Sequence, residues 1–297
     1  MEIPLAHSEV SLEPLQLIPI AILALLYWGR SRALAGTGRP VPAWRQACFA
    51  SGLVLLVIAI ASPLAAYDDE LVWVHMAQHL VLGDLAALAI VLGLTGPLLQ
   101  PLLASRWLRW VRALVHPGVA LPLWLFDLYL WHAPFLYQAA LSSEVVHALE
   151  HACFVGFGIA MWMALLGPLP KPAWFGNAAR LVYILVVRFG GAVLGNVLIW
   201  SGSALYPDYA AGEAEHHISA LADQGAAGIV MMVEQGLVTL ALFAWLFFRA
   251  ARESEERQSL LDLAAERGFT LDEGRAARAV AAGQGERLRE RIAGSGH

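Results

Sequence analysis

Seven apolar stretches, each about as long as a bilayer is thick, run through this chain and leave it few ways to fold. They lie near residues 12–29, 47–66, 71–94, 119–139, 144–166, 181–200 and 225–248. A hydrocarbon core of about 30 Å is crossed by about 20 helical residues. With no water to pair backbone amides there, each segment must satisfy its own hydrogen bonds as a helix. The predicted class is therefore an all-α integral membrane protein, a bundle of seven transmembrane helices. Composition agrees: 59% of residues are hydrophobic and 14% charged, against about 25% charged in soluble domains. The first span is the weakest, interrupted by Pro14 and Pro19. It does not read as a cleaved signal, because residues 1–14 carry three Glu and no Lys or Arg, whereas a secretory signal opens with basic residues.

The loops set the expected orientation. Arg30, Arg32, Arg39 and Arg45 fall between spans one and two, Arg106, Arg109 and Arg112 between three and four, and Lys171 and Arg180 between five and six. Every later arginine from Arg249 follows span seven. The alternate loops hold no Lys or Arg and carry Asp68, Asp69, Glu70, Asp208, Glu213, Glu215 and Asp223. By the positive-inside rule the N-terminus lies outside and the C-terminus in the cytoplasm. A missed or extra helix would scramble that alternation, so it also supports the count of seven.

Residues 1–248 thus form the membrane domain, and 249–297 a charged, Ala-rich cytoplasmic tail, partly helical or disordered. Cys48 and Cys153 sit in apolar stretches and offer neither a disulfide framework nor a CxxC site. No repeat, nucleotide-binding motif or nucleic-acid patch is present.

The histidines carry the chemistry. VWVHMAQHL opens span three with His75 and His79, and SSEVVHALEHACF opens span five with His147 and His151. Residues at i and i+4 share one helix face. His132, in DLYLWHAPFLYQ, ends span four at a similar depth. One interfacial histidine is ordinarily a headgroup anchor. Five, in two i,i+4 pairs on one side of the membrane, can converge into a metal site, since imidazole suits copper, zinc and iron. His7, His216 and His217 fall on the same side, the last two as a loop pair. Met76 and Met231 are accessory candidates through their thioethers, and packing is the alternative use of both.

Asp84, Asp127, Arg188 and Glu234 lie deeper, forming an expected midplane polar cluster. Ionisable groups in spans face the bundle interior and pair there, so Arg188 is expected to pair with at least one acid, Glu234 being a candidate. The role is either structural or a proton-linked support below a metal site.

HMAQHL, WHAPFLYQAAL followed by VHALEHACF, and ADQGAAGIVMM resemble the membrane CtaG family of cytochrome c oxidase assembly factors, in order and spacing, over roughly residues 15–248. The resemblance implies a seven-span protein of the bacterial cytoplasmic membrane, needed to mature a haem–copper oxidase. The family's histidine blocks map onto His75, His79, His132, His147 and His151, and its aspartate–glutamine block onto Asp223 and Gln224. Copper as the bound metal, with oxidase subunits and other copper chaperones as partners, is what that role implies. A homodimer is compatible with it. Glu150 and Asp223 join Met76 and Met231 as accessory ligand candidates.

Two other classes compete with a non-enzymatic assembly factor. His147-Ala-Leu-Glu150-His151 matches the H-x-x-E-H pattern of one zinc peptidase group, in which the glutamate activates water. Bis-histidine haem between two spans is the redox alternative, although haem takes one ligand from each side of its ring.

Overall fold

The computed structural model describes residues 14–62, 65–106 and 109–294. His7 and Trp107 lie outside the described residues, among which there is no strand. The chain forms helices α1 (Pro14–Ala35), α2 (Ala43–Ala61) and α3 (Val72–Gly93), then the short α4 (Gly96–Ala104) and α5 (Arg109–Leu114). Next come α6 (Pro117–Trp131), α7 (Pro134–Leu141), α8 (Glu144–Leu165), α9 (Asn177–Trp200), the short α10 (Ala210–Glu215) and α11 (Ala220–Glu266). Helices α12 (Glu273–Ala281) and α13 (Gly285–Gly294) complete it.

Six of these, α1, α2, α3, α8, α9 and α11, are long and apolar enough to cross a membrane. The fourth expected span, 119–139, is not one continuous helix. It is the pair α6 and α7, bent by 70°, and counts as a seventh crossing only if the pair is taken as one. The cause is Pro134. Proline pushes the preceding residue out of the helical region, and Ala133 sits at φ −65°, ψ 129°. The chain restarts with Pro134 in the first turn of α7, where its missing N–H costs nothing. The break turns His132, the C-cap of α6, into the bundle. At the other end of α6, His116 is the N-cap, its Nδ1 accepting from the Gly118 N–H at 3.2 Å.

Large apolar side chains remain exposed along the spans, with Leu25 75% and Phe189 71% accessible. In water such a surface would aggregate; in hydrocarbon it is the expected exterior.

The described residues fall into two compact units, one ending at Leu237 and the other beginning at Val238. In the first, α3 is the organising element. Its N-terminal amides are capped by Asp223, whose carboxylate accepts from Val72 N at 2.8 Å and Trp73 N at 3.1 Å. At its other end Arg45 donates to the carbonyls of Leu92 at 2.9 Å and Leu94 at 2.7 Å. An acid at the positive end and a base at the negative end both oppose the helix dipole. Within α3, residues Val81–Ala86 form a π-helical turn. There Gly83 meets Gly158 of α8 so closely that a Cβ on Gly158 would run into the Gly83 carbonyl oxygen. This contact fixes the α3–α8 crossing just below both histidine pairs.

The second unit opens within α11, which runs unbroken past the boundary expected at 248, with no Gly or Pro over residues 237–267. Gly268, at φ +64°, ends it, with Phe269 N bonded to the Ala264 carbonyl at 2.8 Å, the αL stop that glycine allows. Beyond it, α12 and α13 fold back so that Val280, Leu288 and Ile292 pack on Leu260 and Ala264. The tail is helical with a small core of its own.

Candidate metal centre

The two i,i+4 pairs meet. His75 and His79 on α3 face His147 and His151 on α8, and the four rings close a circuit. Centroids are 4.2 Å apart within each pair, and 5.4 Å across from His75 to His147 and from His79 to His151. Glu150, i+3 from His147, projects into the same space, with Oε2 3.8 Å from His75 Nε2 and 3.7 Å from His79 Nε2. One donor atom each from His75, His79, His147 and Glu150 lies within 4.8 Å of all the others. Glu150 and His75 are wholly buried, and His79 and His151 nearly so.

The hydrogen bonds show which atoms are spoken for. His75 Nδ1 lies 3.1 Å from the Asp68 carbonyl, and His151 Nδ1 lies 2.7 Å from Gln16 Oε1. Because a carbonyl only accepts, His75 must carry its proton on Nδ1, and its Nε2 presents a bare lone pair. The Nε2 atoms of His75, His79, His147 and His151, with both Glu150 oxygens, are buried without a hydrogen-bond partner. Leaving one buried polar atom unpaired costs about 1–3 kcal/mol. So many converging on one space make a candidate cation site. Three imidazoles and a carboxylate form a donor set that fits Cu(II) or Zn(II), and the Nδ1 bonds supply the orienting partners such ligands need.

A family model described as cytochrome c oxidase caa3 assembly factor matches residues 24–253. The chain belongs to that family. It is also 24% identical over 271 residues to the uncharacterized proteins Mb0105 of Mycobacterium bovis and MT0111 of Mycobacterium tuberculosis. Each match covers 85% of this chain but only 41% of the relative, so the chain spans less than half the length of these proteins. No solved structure matches it.

Within this assembly-factor fold the remaining predicted residues separate. Glu150, expected as an accessory, is central. His132 stands apart from the four-ring circuit and turns to Met76, its Nε2 3.3 Å from Met76 Sδ. Asp223, another expected accessory, uses both carboxylate oxygens to cap α3. Its neighbour Gln224 is equally committed. Its Oε1 accepts from Leu205 N at 2.8 Å, and its Nε2 donates to the Leu198 carbonyl at 3.1 Å. His216 pairs with Glu70 at 2.6 Å on the exposed loop, and His217 adopts φ 56° just after α10.

In the midplane cluster Arg188 pairs with acids as expected, Asp84 being nearer than Glu234. Arg188 binds Asp84 through both terminal nitrogens, at 2.6 and 3.3 Å, and donates to Gln235 Oε1 at 3.1 Å. Glu234 is the more distant partner at 3.7 Å. The π-turn carries Asp84, and the Trp162 indole N–H donates to its backbone carbonyl at 3.1 Å. Asp127 is buried but belongs elsewhere, against Trp131 one turn along α6.

Sequence reasoning missed the supports. Gln16 is a lone amide in an apolar span, and that oddity was its only signal. Asp68 stands in the sequence only as one acid of a loop without Lys or Arg. Its carbonyl instead accepts from His75 and from the Tyr209 hydroxyl at 3.1 Å, while Oδ2 accepts from Gln78 at 2.6 Å. Tyr137, Tyr206 and Tyr209 roof this region. Tyr137 stacks on Tyr206 at 4.0 Å, and the hydroxyls of Tyr137 and Tyr209 are 3.2 Å apart. Burial pushes the pKa of both loop phenols, Tyr206 and Tyr209, well above the ordinary value, so both stay neutral donors at physiological pH.

Proposed function

We propose that this protein holds a copper ion as cargo at His75, His79, His147 and Glu150, with His151 beside them, and hands it to subunits of a maturing haem–copper oxidase. The observation that carries the reading is the convergence of buried imidazole nitrogens and a buried carboxylate, none with a hydrogen-bond partner. Membership of the oxidase assembly family supplies the destination. In this reading the α6–α7 pair counts as one crossing. That gives seven spans in a bacterial cytoplasmic membrane, with the N-terminus outside, the tail in the cytoplasm and the metal site toward the external face. Oxidase subunits and other copper chaperones are the partners.

Each residue has a definable task. The imidazole Nε2 atoms would ligate the ion. Glu150 supplies negative charge where a cation is otherwise poorly solvated. The Asp68 carbonyl and Gln16 hold two of the rings in the ligating orientation. Separate neutral ligands on two helices allow stepwise release, one imidazole at a time.

The zinc-hydrolase alternative shares these residues but has less support. Glu150 lies as close to His75 and His79 as a ligand set requires, and it is wholly buried. Metal content by mass spectrometry on detergent-purified protein tests the proposal. Stoichiometric copper, lost both in His75→Ala/His79→Ala and in His147→Ala/His151→Ala, supports it. Zinc in its place revives the hydrolase, and no metal after exposure to copper under oxidising and reducing conditions sinks both.

A further inference from the structure

His132 poses a problem that the four-ring site does not solve. Its Nδ1 lies 2.7 Å from the Leu128 carbonyl, which can only accept, so the proton of the neutral ring is on Nδ1. The Nε2 is then a bare acceptor, yet 3.3 Å away stands Met76 Sδ, another acceptor. Both side chains are buried, His132 to 6% and Met76 to 1% exposure. Two lone pairs face each other across that gap with nothing to share. Either the ring is a buried imidazolium donating to the thioether, which is costly in such surroundings, or a cation belongs between them.

The geometry points to a second, softer metal site at His132 Nε2 and Met76 Sδ, distinct from the nitrogen–carboxylate site and selective for Cu(I). With metal–nitrogen and metal–sulfur bonds of about 2.1 and 2.3 Å, donors 3.3 Å apart subtend roughly 100° at the ion. That angle leaves room for a third ligand. Met231, buried to 2%, lines the same cavity as His132 and Met76 and is placed to supply it. The cavity, about 40 Å³, has room for an ion or about three waters. Thioether donors select Cu(I) over Zn(II) and Cu(II). His79 lines this cavity and also belongs to the four-ring site, so the two sites share a wall. The inference rests on the metal-handling reading for its cargo, but on different atoms.

The test uses full-length protein in detergent, stripped of metal. It is titrated with Cu(I) under reducing conditions against a bathocuproine chelator, and copper-edge X-ray absorption is recorded at one equivalent. Wild type is expected to show a sulfur scatterer. Met76→Leu, a shape-conserving change that the core tolerates, should lose or halve that shell. It should also weaken Cu(I) binding by about tenfold or more, since even outer-shell partners cost that much. Met231→Leu reports in the same way on the third ligand. His147→Ala/Glu150→Gln should lose Cu(II) while keeping sulfur-bound Cu(I). A wild-type spectrum with only nitrogen and oxygen scatterers, or an unchanged Cu(I) affinity in Met76→Leu, overturns the second site and leaves the first standing. Sulfur-bound Cu(I) in a protein that retains no Cu(II) overturns the first and keeps the second.

Discussion

Two buried polar clusters lie within one turn or two of each other along α3, and they are built on opposite principles. Around Arg188 hydrogen bonds hold the charge: the guanidinium has both terminal nitrogens on Asp84 and one on the Gln235 amide oxygen, while Glu234 stands off at 3.7 Å without a hydrogen bond. Around Glu150 no such hydrogen bond is made. A carboxylate and four imidazole nitrogens converge with their lone pairs unmet. The first arrangement is what a helix bundle needs to bury charge at all. The second is the arrangement expected of a site that takes up a cation. In a buried site, polarity alone does not mark function; several unpaired donors converging on one space point to it.

The contrast can be broken experimentally, most severely at Arg188. Arg188→Leu strands Asp84 in the core and should cost ~3–5 kcal/mol, read as lost yield and a lowered melting temperature in detergent. Arg188→Leu with Asp84→Leu should recover most of it, and failure to recover would mean the pair is not self-contained. Next comes the ligand effect. If the His–Glu cluster binds metal, adding it at a hundred times its dissociation constant should stabilise wild type by about 2.7 kcal/mol and His147→Ala/Glu150→Gln not at all. Equal stabilisation of both proteins would place the metal elsewhere. Asp223→Ala, which uncaps α3, should cost ~1–2 kcal/mol while leaving metal stoichiometry unchanged. A lost ion in that variant would restore Asp223 as a ligand. The smallest change is expected from Glu150→Gln without metal. Removing a buried carboxylate that makes no hydrogen bond and stands 3.7–3.8 Å from its nearest imidazole nitrogens should leave stability level or raise it slightly, and a marked drop in melting temperature would mean that Glu150 is a structural group like Asp84.

Much of this was legible because it depends on periodicities that no neighbour can alter. A run of 20 apolar residues is long enough to cross a bilayer wherever it stands, and residues at i and i+4 share a face in any helix. Hence the spans and both histidine pairs could be read directly, and their common depth followed from counting along each span. The exceptions share one cause, that rotation and crossing of helices are set by contacts between residues far apart in sequence. Asp223 looks like a ligand until its carboxylate is found on amides about 150 positions earlier. Arg188 had three acids to choose from, and the π-turn that aims Asp84 decided the choice. The fourth span read as continuous, although Pro134 was in view, because hydropathy does not register a 70° bend.

By itself, then, the sequence determined a helical membrane protein, the depth of its histidines and its family blocks, since bilayer thickness and helix pitch are fixed lengths. Only the tertiary structure decided that Glu150 sits at the centre, that Gln16 and Asp68 orient the rings, and that His132 faces Met76. Those pairings require two helices to meet at one angle, and the angle is set where Gly83 and Gly158 allow α3 and α8 to touch.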